Sequence, residues 1–327
     1  MRSVTSSALL RESRLVPAAH PRALSTVKSP DDRLFVSVNE YRPETATSGV
    51  TLLLTHGTSF CKELWEPLIE FWLREGGPLR ISAVFALDAV NHGDSAVANE
   101  KQLGSSTYWP DHSRDILKVL DHLGATRPLI GIGHSFGGGT LAHASLMQPL
   151  RFDATILVEP VLFQMREQTA AISRQALKRR DTWENLEETY TAISGSKGFS
   201  DWTTDQRERY AVYATRDRTS DCGVVRTLKT TKEQESATYL AAPYPTIIDL
   251  LSASREPRYY ILGERSPVLN KDCQAAVEKM AQIHGDVKYI QDGGHLLPMT
   301  HPIELGVILE QTIITAMSKI GTVRCHF

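Results

Sequence analysis

Apolar residues along this chain fall into short, dense runs separated by longer stretches in which they recur every three or four positions. Val50 to Leu54, Ile81 to Leu87, Leu129 to Ile132 and Ala154 to Val158 are compact apolar runs, of the kind that form strands buried on both faces of a parallel sheet. Tyr259 to Leu262 and Val287 to Ile290 add two more. Leu34 to Val38 alternates apolar and polar side chains, which predicts a half-exposed edge strand. Between the runs, Lys62 to Arg74, Asp111 to Leu123, Thr140 to Met147, Cys273 to His284 and Pro302 to Met317 read as helices. The last of them opens on a proline, whose missing N–H costs nothing in a first turn. Strands that alternate with helices predict an α/β fold, a mostly parallel central sheet flanked by helices.

The stretch from Gln164 to Pro243 breaks this alternation. It is rich in Arg, Glu, Thr and Gln, has few strand-like runs, and carries the aromatic residues Trp183, Tyr190, Phe199, Trp202, Tyr210 and Tyr213. Such polarity argues against an extra core layer and predicts a mainly helical cap inserted over one end of the sheet. The expected organisation is an N-terminal arm over residues 1–33, a core over 34–163 and 244–320, the cap over 164–243 and a tail over 321–327.

Bulk properties narrow the functional classes. The 327 residues carry a formal net charge of -2, with acids and bases interspersed, so no strong field favours nucleic acid or acidic lipid. No apolar run approaches the roughly 20 residues of a membrane span. Cys61, Cys222, Cys273 and Cys325 lie far apart without a CxxC pair, which speaks against a disulfide framework or zinc cluster and for reduced thiols inside a cell. The first 30 residues set Arg2, Arg11, Arg14, Arg22 and Lys28 against Glu12 alone. That bias has something of a mitochondrial presequence, but without the apolar segment of a secretory signal. Ser318-Lys319-Ile320 has the character of a peroxisomal address, although such signals are read at the extreme C-terminus and Gly321 to Phe327 follow it. No pattern in the chain sets an oligomeric state.

The sharpest chemical signal is Gly133-His134-Ser135-Phe136-Gly137, directly after one strand run and before a helix. A Gly-x-Ser-x-Gly at a strand-to-helix turn is a nucleophile elbow: the turn is too tight for flanking side chains, and it presents the serine hydroxyl above the strand ends. A phosphate loop is the rival, yet Phe136 stands where the dinucleotide fingerprint needs glycine, and no Gly-Lys-Ser/Thr occurs. A serine hydroxyl needs a base, and the expected chain order is Ser, then an acid, then His. His295 follows the last strand run in Asp292-Gly293-Gly294-His295 and occupies that place in the order. His56, His92, His134 and His301 belong to other loops, the elbow or a helix start.

For the acid, an Asp is expected after the run Tyr259 to Leu262, but the turn reads Gly263-Glu264-Arg265-Ser266-Pro267 with Ser266 at that position. The preceding run, Ala154 to Val158, instead ends in Glu159-Pro160. A carboxylate leaving a strand beside the elbow strand suits the role of orienting His295, so Glu159 is assigned as the acid, with Glu264 as the second choice. Two main-chain donors are needed for the oxyanion: the N–H of Phe136 after the nucleophile, and one from His56-Gly57-Thr58 after the run Val50 to Leu54, with Thr58 preferred to Gly57.

Taken in order, the His56-Gly57 turn, Asp88-Ala89-Val90-Asn91-His92-Gly93-Asp94-Ser95, the Gly-His-Ser-Phe-Gly-Gly elbow and the Gly-Gly-His-Leu loop resemble the α/β-hydrolase superfamily from about Leu34 to Met317. The resemblance implies that Asp88 and Asp94 fix backbone geometry. The chain is also similar to fungal hydrolases of secondary metabolism, a group that includes peroxisomal acyl-CoA hydrolases of meroterpenoid pathways and proteins of host-selective toxin clusters. The shared features are Leu15-Val16-Pro17 with His20, the segment Lys62-Glu63-Leu64-Trp65-Glu66-Pro67, and the acid after the sixth strand. Mycotoxin lactone hydrolases are similar in carrying a glutamate there. Together these readings imply a serine hydrolase that cleaves an ester, acyl-CoA thioester or lactone of a small acyl substrate through an acyl-enzyme, without metal or organic cofactor. The location expected is intracellular, peroxisomal by resemblance or cytoplasmic. A C–C bond hydrolase with the same residues and a non-catalytic ligand-binding protein of this fold are the alternatives.

Overall fold

A computed structural model of the chain describes residues 10–43, 48–220 and 223–324. The strands are β1 (Leu10–Pro17), β2 (Phe35–Arg42), β3 (Val50–Thr55), β4 (Ile81–Leu87), β5 (Leu129–His134) and β6 (Ala154–Val158). Three more follow, the short β7 (Thr182–Trp183), β8 (Thr215–Ser220) and β9 (Gly223–Leu228), and then β10 (Arg258–Gly263) and β11 (Gly285–Ile290). Eight of them form one sheet in the order β1-β2-β4-β3-β5-β6-β10-β11. β1, β2 and β4 pair antiparallel, and every pair from β4 to β11 is parallel.

The period-2 pattern of the buried runs divides the core between two faces. Leu52, Leu54, Val84, Ile130, Ile132 and Ile156 point to one side, where α1 (Glu66–Trp72) packs. Their neighbours Leu53, Phe85, Leu129 and Leu157 point to the other. The short helix α2 (Gly93–Asn99) follows β4, and α3 (Trp109–His122) and α4 (Phe136–Met147) cover that second face. The chain then passes through α5 (Arg166–Ala176), α6 (Leu186–Ser194), α7 (Thr204–Tyr213) and α8 (Lys232–Leu240) before returning by α9 (Ile247–Ala253) and α10 (Lys271–His284) to the second face. After α11 (Leu297–Thr300), α12 (Pro302–Arg324) joins α1 on the first face. Trp72 seals that pair: it is buried, and its indole N–H donates to the Gly306 carbonyl at 3.1 Å.

Several elements differ from what the pattern predicts. Leu34 to Val38 was expected at a sheet edge, but β2 is covered by β1 and buried from Val36 to Tyr41. β1 itself escaped notice because only Val16 among its residues is buried, so its alternation has almost no apolar member. The segment 164–243 holds α5 to α8 and also the antiparallel sheet β7-β9-β8. The β8 sequence Thr-Arg-Asp-Arg-Thr-Ser is polar on both faces and gives no period-2 signal. Ser318, Lys319 and Ile320 lie within α12. No described helix is long and apolar enough to cross a membrane.

His56, His92, His112 and His134 are all buried. Burial pushes His56 down to about 4 and His134 to about 3, and holds His92 and His112 well below the ordinary imidazole range. All four are therefore neutral in the folded protein, whereas an unfolded chain protonates them below about pH 6.5. The unfolded state binds more protons in this window, so stability falls as pH drops from about 6.5 towards 4. The thermal midpoint should decrease between pH 7 and pH 5, and His134→Gln should shrink that decrease by removing one such site. Trp72→Ala should cost about 3–5 kcal/mol in equilibrium urea unfolding, the range for emptying a buried large aromatic site.

Candidate active site

After β3 the chain goes to β4 on one side, and β5 then takes the opposite side of β3. At such a reversal the connecting loops diverge and leave a crevice at the carboxyl ends of the strands. Both the His56-Gly57-Thr58 turn and the elbow open into it. The elbow depends on close approach: a Cβ on Gly133 would lie 2.7 Å from both the Gly137 carbonyl oxygen and Thr55 Oγ1, and one on Gly137 would lie 2.5 Å from the His56 carbonyl oxygen. Ser135 sits between them at φ 55° and ψ −118°, a strained conformation for a residue with a side chain. Main-chain bonds hold it there, from the Ser135 N–H to the Val158 carbonyl at 3.0 Å and from the Gly139 and Val161 N–H groups to the Ser135 carbonyl.

The structure brings Ser135, His295 and Glu159 into one hydrogen-bonded chain. His295 Nδ1 lies 2.9 Å from Glu159 Oε2, and Nε2 lies 2.8 Å from Ser135 Oγ. A carboxylate can only accept, so Nδ1 carries the proton and Nε2 is left to accept from the serine hydroxyl. Glu159 has no solvent exposure. Its Oε1 accepts the Gly263 N–H at 2.7 Å, and its Oε2 also accepts the Ser266 hydroxyl at 2.5 Å. Ser266 thus stands where an aspartate was expected and supplies a donor to the glutamate. Glu264 is turned away; its Oε2 takes the Asp292 N–H at 3.2 Å.

Phe136 and Thr58, the residues expected to supply the two main-chain donors, both line the cavity beside Ser135. Phe136 opens α4, so its N–H has no acceptor a turn earlier, and the positive end of the helix adds to it. The Thr58 N–H has no acceptor among the described residues. Thr58, Phe136, Ser135 and His295 share the wall of a cavity of 280 Å³. Its other walls are largely apolar, with Phe60 and Trp109 from the core and Met165 and Ile172 from α5 and the residue before it, and no Lys, Arg, Asp or Glu lines it among the described residues. None of the six cap aromatics singled out in the sequence is part of this wall. Trp202, Tyr210, Phe199, Tyr190 and Tyr213 pack instead into a secondary core over Leu64.

His134 is a site residue that its place inside the elbow had set aside. Its Nε2 lies 2.8 Å from the His295 carbonyl oxygen, and since a carbonyl only accepts, that nitrogen donates. A Cβ on Gly57 would come within 2.9 Å of the other ring nitrogen. The buried imidazole therefore packs against the turn that carries Thr58 while tethering the loop that carries His295. Tyr239, on α8, lines the cavity as well and had no sequence signal, being one aromatic among many in a polar stretch.

Comparison with known proteins agrees with the fold. Residues 52–305 match the alpha/beta hydrolase family. The type I acyl-CoA thioesterase mpaH of Penicillium brevicompactum is 33% identical over 193 residues, which are 54% of this chain and 44% of that protein. The peroxisomal membrane protein LPX1 of Saccharomyces cerevisiae is 34% identical over 166 residues, 46% of this chain and 43% of that protein. The aligned stretch thus spans less than half the length of each of these curated relatives. Among solved structures, the peroxisomal alpha-beta-hydrolase Lpx1 of Saccharomyces cerevisiae superposes with a TM-score of 0.82 over 96% of this chain and 91% of that one, at 23% identity, a likeness of fold. Since the family match runs from β3 into α12 and takes in the elbow and the His295 loop, the chain belongs to the alpha/beta hydrolase family.

Proposed function

We propose that the protein is a serine hydrolase that cleaves an ester, an acyl-CoA-type thioester or a lactone through an acyl-enzyme. The observation that carries the reading is the unbroken chain from Ser135 Oγ through His295 to buried Glu159 at the wall of an apolar cavity. In the first step Ser135 Oγ attacks the carbonyl carbon while His295 Nε2 takes the hydroxyl proton. Glu159 holds the Nδ1 tautomer and stabilises the imidazolium without taking the proton itself. Negative charge on the carbonyl oxygen is met by the Phe136 and Thr58 N–H groups. Collapse of the tetrahedral adduct expels the alcohol or thiol, which leaves with the proton from His295. Water then attacks the acyl-Ser135 ester by the same route and releases the acid. Every proton in this cycle passes through His295, so the chemistry calls for no cofactor.

The cavity supports an apolar acyl group of moderate size. A charged carrier such as coenzyme A would keep its phosphates outside, because the cavity offers them no cation among the described residues. Similarity to proteins named acyl-CoA thioesterases supports the thioester member of the class. The name of the Saccharomyces relative supports a peroxisomal site of action. The resemblance to fungal secondary-metabolism hydrolases extends the proposal to a role in secondary-metabolite or toxin biosynthesis.

Assayed against acyl-CoA thioesters, lactones and simple esters, the protein should hydrolyse at least one class and be labelled by a fluorophosphonate at Ser135. Ser135→Ala should lose both properties; full turnover by that variant, or a wild type inert to the probe, would leave only a ligand-binding protein of this fold. Glu159→Gln should slow acylation by roughly 10³–10⁴-fold, as expected when the imidazole loses its orienting carboxylate. Glu264→Gln should change it little, and the reverse order would show the acid to be misassigned.

A further inference from the structure

The residue after Thr58 is held from outside the sheet. Ser59 adopts φ 76°, in the left-handed region that favours glycine. Its hydroxyl donates to Glu235 Oε1 at 2.5 Å and accepts from the Tyr239 hydroxyl at 3.1 Å. Both partners sit on α8. Glu235 is buried, and its second oxygen takes Arg179 Nη1 at 2.9 Å, while Arg179 Nη2 donates to the Tyr210 hydroxyl at 2.8 Å. α8 is in turn fixed to the core, because Asn91 Nδ2 donates to Thr238 Oγ1 at 2.9 Å and Trp109 Nε1 to the Thr238 carbonyl at 3.2 Å. A serine in a strained backbone region persists only where its surroundings over-determine it. At Ser59 those surroundings belong to α8, and Tyr239 of the same helix lines the cavity beside Ser135.

We propose that Ser59, Glu235 and Tyr239 are positioning residues that aim the Thr58 N–H at the developing oxyanion. The segment that covers the cavity then takes part in transition-state stabilisation as well as in enclosing the acyl group. This inference rests on the serine-hydrolase reading and on Thr58 as one of its donors. A donor accelerates the reaction only if it points to where the oxygen lies in the transition state, and the hold on Ser59 fixes the chain on the far side of Thr58, so a small rotation of the 57–58 peptide, which carries that N–H, acts on rate. Loss of an interaction made only in the transition state lowers kcat and leaves KM nearly unchanged.

Ser59→Gly separates this role from a merely structural one. Glycine adopts a positive φ without strain, which offsets part of the cost of the hydroxyl's lost hydrogen bonds, so the variant should stay folded with a thermal midpoint within a few degrees of wild type. Its kcat should nevertheless fall by about tenfold or more, short of the roughly 10²–10³ that a whole oxyanion donor is worth, with KM within about twofold. The rate of fluorophosphonate labelling at Ser135 should fall in parallel, because the phosphonyl oxygen occupies the same hole. Glu235→Gln keeps an acceptor for the Ser59 hydroxyl and should retain most of kcat. If wild type labels at Ser135 while Ser59→Gly keeps full kcat and full labelling rate, the positioning role is overturned and the hydrolase stands. If Ser135→Ala keeps its turnover, the hydrolase reading falls and takes this role with it.

Discussion

A carboxylate cut off from solvent has to be satisfied from within the protein, and Glu159 is satisfied by three donors from two other segments. The Gly263 N–H and the Ser266 hydroxyl come from the end of β10 and its following turn, and the His295 ring N–H comes from the loop after β11. An uncompensated charge at this depth would be strongly destabilising. The arrangement therefore ties the ends of β6, β10 and β11 into one unit whose outward face is the second imidazole nitrogen. Gly263 makes the closure possible, since a Cβ there would stand 2.4 Å from the Gly293 and Gly294 carbonyl oxygens. The loop carrying His295 can lie across the end of β10 only because that position has no side chain.

On the other side of Ser135, small residues and a neutral histidine set the spacing. Gly57 and Gly137 let the turn after β3 approach the elbow, and His134 packs between that turn and the His295 carbonyl. A charged imidazole would be costly in so buried a place, and burial keeps this one unprotonated across the working range of pH. The tether from His134 to the His295 carbonyl is thus a constant.

The segment above the crevice is joined to the core by charge as well as by packing. Lys62 is fully buried, with its ammonium 2.9 Å from Asp88, 2.7 Å from Asp94 and 2.8 Å from Glu63. Burial works against that charge, but the three carboxylates hold it protonated, above the usual lysine range. Asp94 also meets Lys229 at 2.5 Å, just after β9, and Asp88 accepts the main-chain N–H groups of Lys62 and Asp94. Arg209 of α7 pairs with Glu66 and Glu70 of α1. Partly and fully buried pairs of this sort contribute little net stability over an apolar contact, but breaking one is expensive, so they fix relative position. A cavity wall held this way can serve as the anchor for Ser59.

The residues themselves determined the architecture and the ends of the Ser135–His295–Glu159 chain. Buried strands and amphipathic helices announce themselves through local periodicity, and a nucleophile elbow needs glycines at fixed offsets. Glu159 was readable because Glu159-Pro160 ends a strand beside the elbow strand, and Glu264 remained a rival only because separation along the chain says nothing about which way a side chain turns. What lay beyond local pattern was decided by tertiary structure. β1 buries only Val16 and β8 is made of polar residues, so neither leaves a period-2 apolar trace. Ser266, His134, Ser59, Glu235 and Tyr239 acquire their contacts from partners 100 or more residues away. A hydrogen bond between distant segments leaves no mark on the residues near either partner, so only the folded chain could show that one segment orients the chemistry of another.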